Sequence, residues 1–231
     1  MLILGLQKTT LLDYPGKVAS TIFTGGCNFK CPYCHNRDLV IPPPDALPYS
    51  MDDIFQHLNQ KKKVLDGVCI TGGEPTLHKD LPEFIAQIKE LGLLVKLDTN
   101  GTNPGMLKAL VNEGLLDYVA MDIKHSPQKY NSIANMINFD LSAIEESIRF
   151  LNEKHVDYEF RTTIMKECHT EADMEDIGKW IQGADAYYLQ SYRESEQVIN
   201  PIFSPHSPET LKHFLEIVQP FVPNTVLRGI D

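Results

Sequence analysis

Residues 24–36 read Thr-Gly-Gly-Cys-Asn-Phe-Lys-Cys-Pro-Tyr-Cys-His-Asn and place Cys27, Cys31 and Cys34 in a C-x3-C-x2-C spacing. Four-iron clusters that only carry electrons are held by four cysteines. Three thiolates would leave one iron without a protein ligand, so the spacing indicates chemistry at the metal rather than electron storage. A structural zinc site completed by His35 and a disulfide framework are the alternative interpretations.

The sequence around this loop alternates short apolar runs with longer segments of helical periodicity. The predicted strands are Val18–Phe23, Gly67–Thr71, Leu93–Asp98, Tyr118–Ile123, Asp157–Ile164 and Ala186–Leu189. The predicted helices are Met51–Gln60, Leu81–Leu91, Gly105–Glu113, Leu141–Glu153, Glu171–Gln182 and Pro208–Val218. Regular alternation of this kind predicts a parallel sheet with right-handed crossovers.

The length of the chain limits how far such a sheet can close. A complete eight-unit barrel takes about 250 residues, whereas this chain has 231 residues and six predicted strand–helix units. We therefore predict an α/β fold, a partial (β/α)6 TIM-like barrel that is open along one side. One domain over residues 1–231 is expected, with the cysteine loop at 24–37 and no separate second domain.

The composition, 42% hydrophobic and 23% charged, is that of an ordinary globular protein. A net charge of −10 opposes non-specific attraction to nucleic acid, and the basic run at 61–63 is interpreted as a solvated helix end. Neither a signal peptide nor an apolar stretch of membrane length is apparent. Cys69, predicted to be buried, and Cys168, predicted in a surface loop, are too few for a disulfide framework, so a reducing cytoplasm is expected.

Functional groups of a parallel barrel gather at the carboxyl ends of its strands, and polar motifs of this sequence fall there. One predicted strand runs into Gly72–Glu74, where two glycines let backbone approach a ligand and Glu74 can accept a hydrogen bond from an ammonium group. The next two strands run into Asp98–Gly101 and Asp122–Lys124. Each motif alone also fits a turn or a helix cap.

Two arginines lie within or after the later predicted strands. Arg161 would direct a fixed positive charge towards a strand end, where it could pair with the carboxylate of a ligand. A salt bridge from Arg161 to Asp122 or Glu159 is the alternative interpretation. Arg193 follows the last predicted strand.

In combination, these motifs resemble the radical S-adenosylmethionine (SAM) superfamily. The resemblance implies a [4Fe-4S] cluster on the three cysteines, whose open iron chelates SAM through its methionine amino and carboxylate groups. The run Cys34-His35-Asn36, the motif Asp98–Gly101 and the opening segment Leu12–Gly16 resemble the glycyl-radical-enzyme activases within that superfamily. The combination with Leu6–Lys17 and the late Arg-Thr-Thr looks most like activating proteins of anaerobic (class III) ribonucleotide reductases.

Roles for individual residues follow from this resemblance. Gly72–Glu74 is implied to bind the methionine amino group, and Lys124 to contact SAM. Asp98, Thr99 and Asp122 are implied to hold a monovalent cation beside the SAM carboxylate, while relatives have a SAM-contacting histidine near the position of Arg193. The implied cofactor-binding residues are Tyr33, His35, Asn36, Gly72, Gly73, Glu74, Asp98, Thr99, Asp122, Lys124, Arg161 and Arg193.

The implied function is reductive cleavage of SAM followed by generation of a glycyl radical on a partner enzyme. The expected partner is anaerobic ribonucleoside-triphosphate reductase, and the expected electron donor is flavodoxin or ferredoxin. Alternatives are an activase of another glycyl radical enzyme, of the pyruvate formate-lyase type, or a small-molecule radical SAM enzyme similar to 7-carboxy-7-deazaguanine synthases. A non-catalytic iron-sulfur or zinc-binding module is the alternative from a different class.

Overall fold

The secondary structure comes from a computed structural model that describes residues 1–135, 139–195 and 197–230. The strands are β1 (Ile3–Thr10), β2 (Ala19–Thr24), β3 (Gly67–Gly72), β4 (Leu94–Thr99), β5 (Tyr118–Asp122), β6 (Asp157–Ile164), β7 (Tyr187–Ser191) and β8 (Thr225–Arg228). The helices are α1 (Arg37–Val40), α2 (Met51–Lys61), α3 (Leu81–Glu90), α4 (Pro104–Asn112), α5 (Tyr130–Ala134), α6 (Ser142–Asn152), α7 (Glu171–Trp180) and α8 (Pro208–Val218). A short 3-10 helix spans Pro75–Leu77.

The strands form one sheet in the order in which they occur in the sequence, from β1 to β8. β1 is antiparallel to β2, and each later pair of neighbours is parallel. Between the described residues of β8 and β1 there is no pairing, so the sheet does not close on itself. The predicted α/β class and the open, largely parallel sheet are confirmed.

The predicted strands and helices agree with the observed ones to within two residues at every end. The sheet nevertheless extends beyond the six predicted strands, because β1 and β8 flank them at its two edges. The short helices α1 and α5 are further additions. These elements lack a clear local pattern: β8 has four residues, and β1 depends on its antiparallel pairing with β2.

Side chains at the helix ends explain several of the boundaries. Ser50 and Ser207 each accept a hydrogen bond from the backbone N–H of the third residue in the following helix, which satisfies an otherwise unpaired donor. Asp80 immediately precedes α3, but its carboxylate pairs with the amino group of Met1 instead of capping the helix. Gly92 follows α3 with a φ of 79°, a conformation that glycine adopts without steric penalty.

The core lies between the sheet and its helices. Cys69 is fully buried in β3, as predicted, and Cys168 is half-buried in the loop after β6. Trp180 packs its indole against Tyr130, with ring centroids 5.7 Å apart, as expected for a residue on the core side of α7. In the described ranges, every helix is too short or too polar to cross a membrane.

Candidate functional site

A cavity of about 240 Å³ lies at the carboxyl ends of the central strands. It brings together the cysteine loop, the two glycines at the end of β3 and the charged residues in and just after β4, β5 and β6. The predicted site residues Glu74 and Arg193 lie outside its lining, and the remaining candidates line it. The lining residues are Cys27, Phe29, Cys31, Tyr33, Cys34, His35, Asn36, Val40, Thr71, Gly72, Gly73, Asp98, Thr99, Asn100, Asp122, Lys124, Arg161, Thr163 and Gln190.

Two aromatic residues anchor the cysteine loop. Phe29, between the first two cysteines, is 2% exposed and packs edge-on against Tyr130 and Phe139, with ring centroids 6.3 and 5.5 Å apart. Tyr33, between the second and third cysteines, packs edge-on against Phe203 at 6.2 Å. These two rings are held in the core, and the three thiols of the loop line the cavity.

The cysteine loop docks tightly on the end of β3. The backbone N–H of Glu74 donates to the carbonyl oxygen of Gly26 at 2.8 Å. A Cβ on Gly73 would lie 1.9 Å from that same oxygen, and a Cβ on Gly72 would lie 2.4 Å from the carbonyl oxygen of Thr24. The two glycines are therefore required by close approach of the two backbones, in addition to any contact with a ligand.

The donor set of the loop fits an iron-sulfur cluster. Three thiols line the cavity, and thiolates are the ligands that such clusters use. Burial raises the pKa of Cys27 to about 11 and also raises the pKa of Cys31, so a cluster would have to displace thiol protons as it bound. The hydroxyl of Tyr33 is buried without a hydrogen-bond partner among the described residues, which also fits a group bound in this cavity.

The alternative interpretations of the loop find no support. Across residues 1–135, 139–195 and 197–230, no three or more His, Cys, Asp and Glu side chains are grouped to hold a single metal ion. The Nε2 atom of His35, the proposed fourth zinc ligand, lies 2.5 Å from the carbonyl oxygen of Arg193 and donates to it. The cysteines are free thiols, which argues against a disulfide framework.

Charged side chains of three neighbouring strands meet at the base of the cavity. Asp122 of β5 and Arg161 of β6 are register partners, and Arg161 Nε donates to Asp122 Oδ1 at 2.9 Å. The same guanidinium donates through Nη1 to Asp98 Oδ2 of β4 at 3.2 Å, while Lys124 Nζ lies 2.8 Å from Asp122 Oδ2. The alternative prediction of an Arg161–Asp122 salt bridge is confirmed; Glu159 pairs with Arg228 instead.

These ion pairs favour the ionised forms of Asp98 and Asp122 and the protonated form of Lys124. Burial would raise the pKa of Asp98 and of Asp122, but Arg161 with a neighbouring lysine holds both below the usual value. Burial would lower the pKa of Lys124, but Asp122 raises it well above the usual value. Both carboxylates are thus supplied with cations by the protein, and the monovalent cation predicted beside them gains no support.

Glu74 lies behind the cavity wall. Its side chain is fully buried and accepts hydrogen bonds from the backbone N–H and hydroxyl of Thr76, the hydroxyl of Thr99 and the backbone N–H of Asn100, at 2.6–3.1 Å. Glu74 therefore ties the end of β3 to the end of β4. Its implied role in binding the methionine amino group stays a prediction.

Arg193 lies beside the main cavity. Its exposed side chain lines a neighbouring cleft of about 350 Å³ together with His35, Gln190 and Arg228. Its carbonyl oxygen is the acceptor for His35, so the backbone at Arg193 orients a residue of the cysteine loop. The implied contact between the Arg193 side chain and SAM stays a prediction.

A set of side-chain amides that was not predicted from the sequence connects the cysteine loop to the end of β4. Asn100 Nδ2 donates to Asn28 Oδ1, and Asn28 Nδ2 donates to Thr102 Oγ1, both at 2.8 Å. Lys96, which pairs with Asp98, was also not predicted as a site residue. In the sequence, Lys96 interrupts the otherwise apolar run Leu93–Leu97, two positions before Asp98. A lysine inside a predicted buried strand could have indicated that it pairs with a nearby carboxylate.

Comparisons with known proteins agree with this arrangement. The sequence profile of the Radical SAM superfamily matches residues 21–181. A protein of Methanocaldococcus jannaschii named for glycyl-radical enzyme activation is 32% identical over 100% of this chain and 97% of its own length. The pyruvate formate-lyase-activating enzyme of Clostridium pasteurianum is 30% identical over 52% of this chain and 51% of that enzyme.

A solved structure supports the fold. Streptococcus suis SuiB bound to S-adenosylmethionine superimposes with a TM-score of 0.70, covering 89% of this chain and 49% of SuiB at 16% identity. At that identity, the similarity describes the shared architecture. The partial barrel observed here is thus also the architecture of a protein that binds SAM.

Proposed function

This chain belongs to the radical SAM superfamily, in its glycyl-radical-enzyme activating group, and we propose that it activates an anaerobic ribonucleoside-triphosphate reductase. The observation that carries the proposal is that one cavity is lined by the three cysteines, the Gly72–Gly73 turn and the charges around Arg161. As a member of this group, the chain is a radical SAM oxidoreductase of the formate-lyase-activating type.

Membership in this family implies a [4Fe-4S] cluster and SAM, and the residues present suit both. When bound, they supply the chemistry: an electron from the reduced cluster cleaves SAM to methionine and a 5′-deoxyadenosyl radical. Cys27, Cys31 and Cys34 would hold three irons, which leaves a fourth for SAM. Arg161 and Lys124 supply positive charge to the cavity that would receive the SAM carboxylate.

Other groups of the cavity would orient SAM and limit access of water. The glycines at the end of β3 would let the ligand approach the backbone closely. Phe29 and Val40 contribute apolar surface to the same lining. Tyr33, His35 and Asn36 belong to the loop that carries the thiols, so they would bind close to the cluster.

The partner is proposed to be a protein glycine presented on a loop. Abstraction of its Cα hydrogen requires the reacting atoms to approach within about 3–3.5 Å. The edge strands β8 and β1 do not pair with each other through their described residues, so the sheet is open between them. This opening would admit a loop of a second protein. The opening segment Leu6–Lys17 and the Arg-Thr-Thr run of β6 favour the anaerobic reductase over a pyruvate formate-lyase partner.

The proposal also includes the electron donor, the cellular compartment and the domain organisation. The electron donor is a flavodoxin or ferredoxin, because reduction of the cluster needs an external one-electron donor. The protein acts in the cytoplasm, where a reducing environment preserves free thiols and clusters. The described strands all belong to one sheet and would form one radical SAM domain.

Replacing Asp98 or Asp122 with alanine is expected to weaken SAM binding about 10- to 100-fold, the effect of losing one charge-assisted contact. Each carboxylate positions Arg161, which lines the cavity. Iron and sulfide content should stay at the wild-type level, because neither residue is a proposed cluster ligand. Asp185→Ala, which removes an exposed partner of Lys154, is the matched control. Unchanged SAM affinity in both cavity variants would contradict the assignment.

The proposed function predicts a stable organic radical on a partner protein. The reduced, cluster-loaded protein and SAM are mixed anaerobically with the reductase, and the radical is detected by electron paramagnetic resonance. A reductase whose radical-site glycine is changed to alanine should show no signal. A signal on pyruvate formate-lyase but none on the reductase would redirect the proposal to the other activase type. Turnover of a small molecule without a radical on either protein would favour the small-molecule enzyme.

A further inference from the structure

A buried lysine lies beneath the charged base of the cavity. Lys96, in the middle of β4, is 2% exposed, and lysines are almost never fully buried unless they are paired. Lys96 and Asp98 are two positions apart and therefore point to the same face of the strand. The ammonium group pairs with Asp98 Oδ1 and lies 3.7 Å from the sulfur of Cys69.

Lys96 completes a chain of alternating charges. The order is Lys96, Asp98, Arg161, Asp122 and Lys124, with each neighbour in contact with the next. Three positive and two negative side chains leave one net positive charge next to the cavity. Each of the four carboxylate oxygens is paired with a different nitrogen: Lys96 Nζ, Arg161 Nη1, Arg161 Nε and Lys124 Nζ.

This arrangement does not fit the monovalent cation that the family resemblance implies at Asp98, Thr99 and Asp122. A hard cation needs oxygen atoms that are free to coordinate it. Here Arg161 bridges the two carboxylates. The hydroxyl of Thr99 donates to Glu74 and accepts from the backbone N–H of Gly101. A cation at this position would therefore compete with these protein contacts for the same oxygen atoms and would be repelled by the guanidinium at close range.

We propose that Lys96 and Arg161 take the place of the monovalent cation in this chain. The two side chains balance Asp98 and Asp122, and the excess positive charge remains available to the carboxylate of SAM. Lys96 is a positioning residue: it holds Asp98, and Asp98 holds the guanidinium that lines the cavity. This inference rests on one part of the proposed function, the binding of SAM in this cavity. It does not depend on the identity of the partner protein.

The first test needs no variant. SAM affinity of the cluster-loaded wild-type protein is measured by equilibrium dialysis in sodium, potassium and choline chloride at one ionic strength. The dissociation constant should agree within about twofold in the three salts, because the site supplies its own cations. A gain in affinity of about tenfold or more in sodium or potassium over choline would overturn the inference, since a loss of that size accompanies the removal of one charge-assisted contact.

The second test removes the internal cation. Lys96→Met keeps most of the length of the side chain but removes the ammonium group that pairs with Asp98 Oδ1, which leaves the thiol of Cys69 as the remaining neighbour of that oxygen among the described residues. In choline, the variant should bind SAM about tenfold more weakly than the wild type. Sodium or potassium should recover much of that loss, because the freed oxygen can then coordinate an alkali ion. Wild-type affinity in choline would contradict the role of Lys96, as would an affinity loss that no cation relieves.

A third readout is independent of SAM, the cluster and catalysis. The thermal midpoint of the cluster-free Lys96→Met protein should be lower than that of the wild type and should rise specifically with sodium or potassium. Lys89→Met is the matched control, because Lys89 pairs with Asp117 outside the cavity. An equal cation response in that control would overturn the assignment to Lys96. Normal SAM binding in all salts with no radical on a partner would refute the proposed function but leave this inference intact.

Discussion

Replacing Cys31 with alanine is expected to abolish both cluster assembly and SAM cleavage. Cys31 is buried and lines the cavity with Cys27 and Cys34, so alanine removes one of only three proposed thiolate ligands. The same result is expected for Cys27→Ala and Cys34→Ala. The measurements are iron and acid-labile sulfide per chain after anaerobic reconstitution, and the 5′-deoxyadenosine formed after reduction.

The two remaining cysteines provide the controls for this experiment. Cys168 is half-buried in a loop outside the cavity, and Cys69 lies inside β3 beside Lys96. Alanine at either position should leave the cluster content unchanged. Four irons per chain in Cys31→Ala would refute the ligand assignment, and loss of iron in a control would reveal a ligand that neither the motif nor the cavity indicates.

Replacing Gly73 with alanine is expected to lower SAM cleavage about 100-fold or more, the cost of displacing reacting groups by roughly 1 Å. The new methyl carbon would lie 1.9 Å from the carbonyl oxygen of Gly26, a contact that only a backbone shift can relieve. Gly26 immediately precedes Cys27, so the shift would move the first thiol and break the hydrogen bond from the Glu74 N–H. Single-turnover formation of 5′-deoxyadenosine by reconstituted protein measures the effect.

Gly105→Ala is the matched control for Gly73→Ala. Gly105 lies in the first turn of α4, and the nearest atom to an added Cβ is 3.8 Å away. Alanine is a better helix former than glycine, so this variant should fold and cleave SAM like the wild type. Full activity of Gly73→Ala would show that the loop has room to move and that its close docking on β3 is not required.

The fold was largely accessible from sequence because its central units repeat a local pattern. The runs Asp157–Ile164 and Pro208–Val218, for example, were predicted with the observed bounds. The two outer strands were not accessible in this way. β1 is identified as a strand by its antiparallel pairing with β2. β8 is identified by the parallel pairing of four residues with β7. Such long-range pairing leaves little trace in the local order of apolar residues.

The cysteine loop was determined by the sequence itself. Its three thiols lie within eight residues of one another, so chain connectivity alone keeps them close. The positions of the polar motifs at strand ends followed from the parallel arrangement, and the structure places Gly72, Gly73, Asp98 and Asp122 around one cavity.

Only the tertiary structure decided how the charges of that cavity are paired. Arg161 is 39 residues from Asp122 and 63 from Asp98, yet sheet register brings one guanidinium into contact with both carboxylates. The same folding directs Glu74 away from the cavity and places Lys96 beneath Asp98. A sequence motif identifies which side chains can carry charge or bind a ligand. Their partners depend on strand register and burial, because hydrogen bonds and ion pairs form between atoms that only folding brings within about 3 Å.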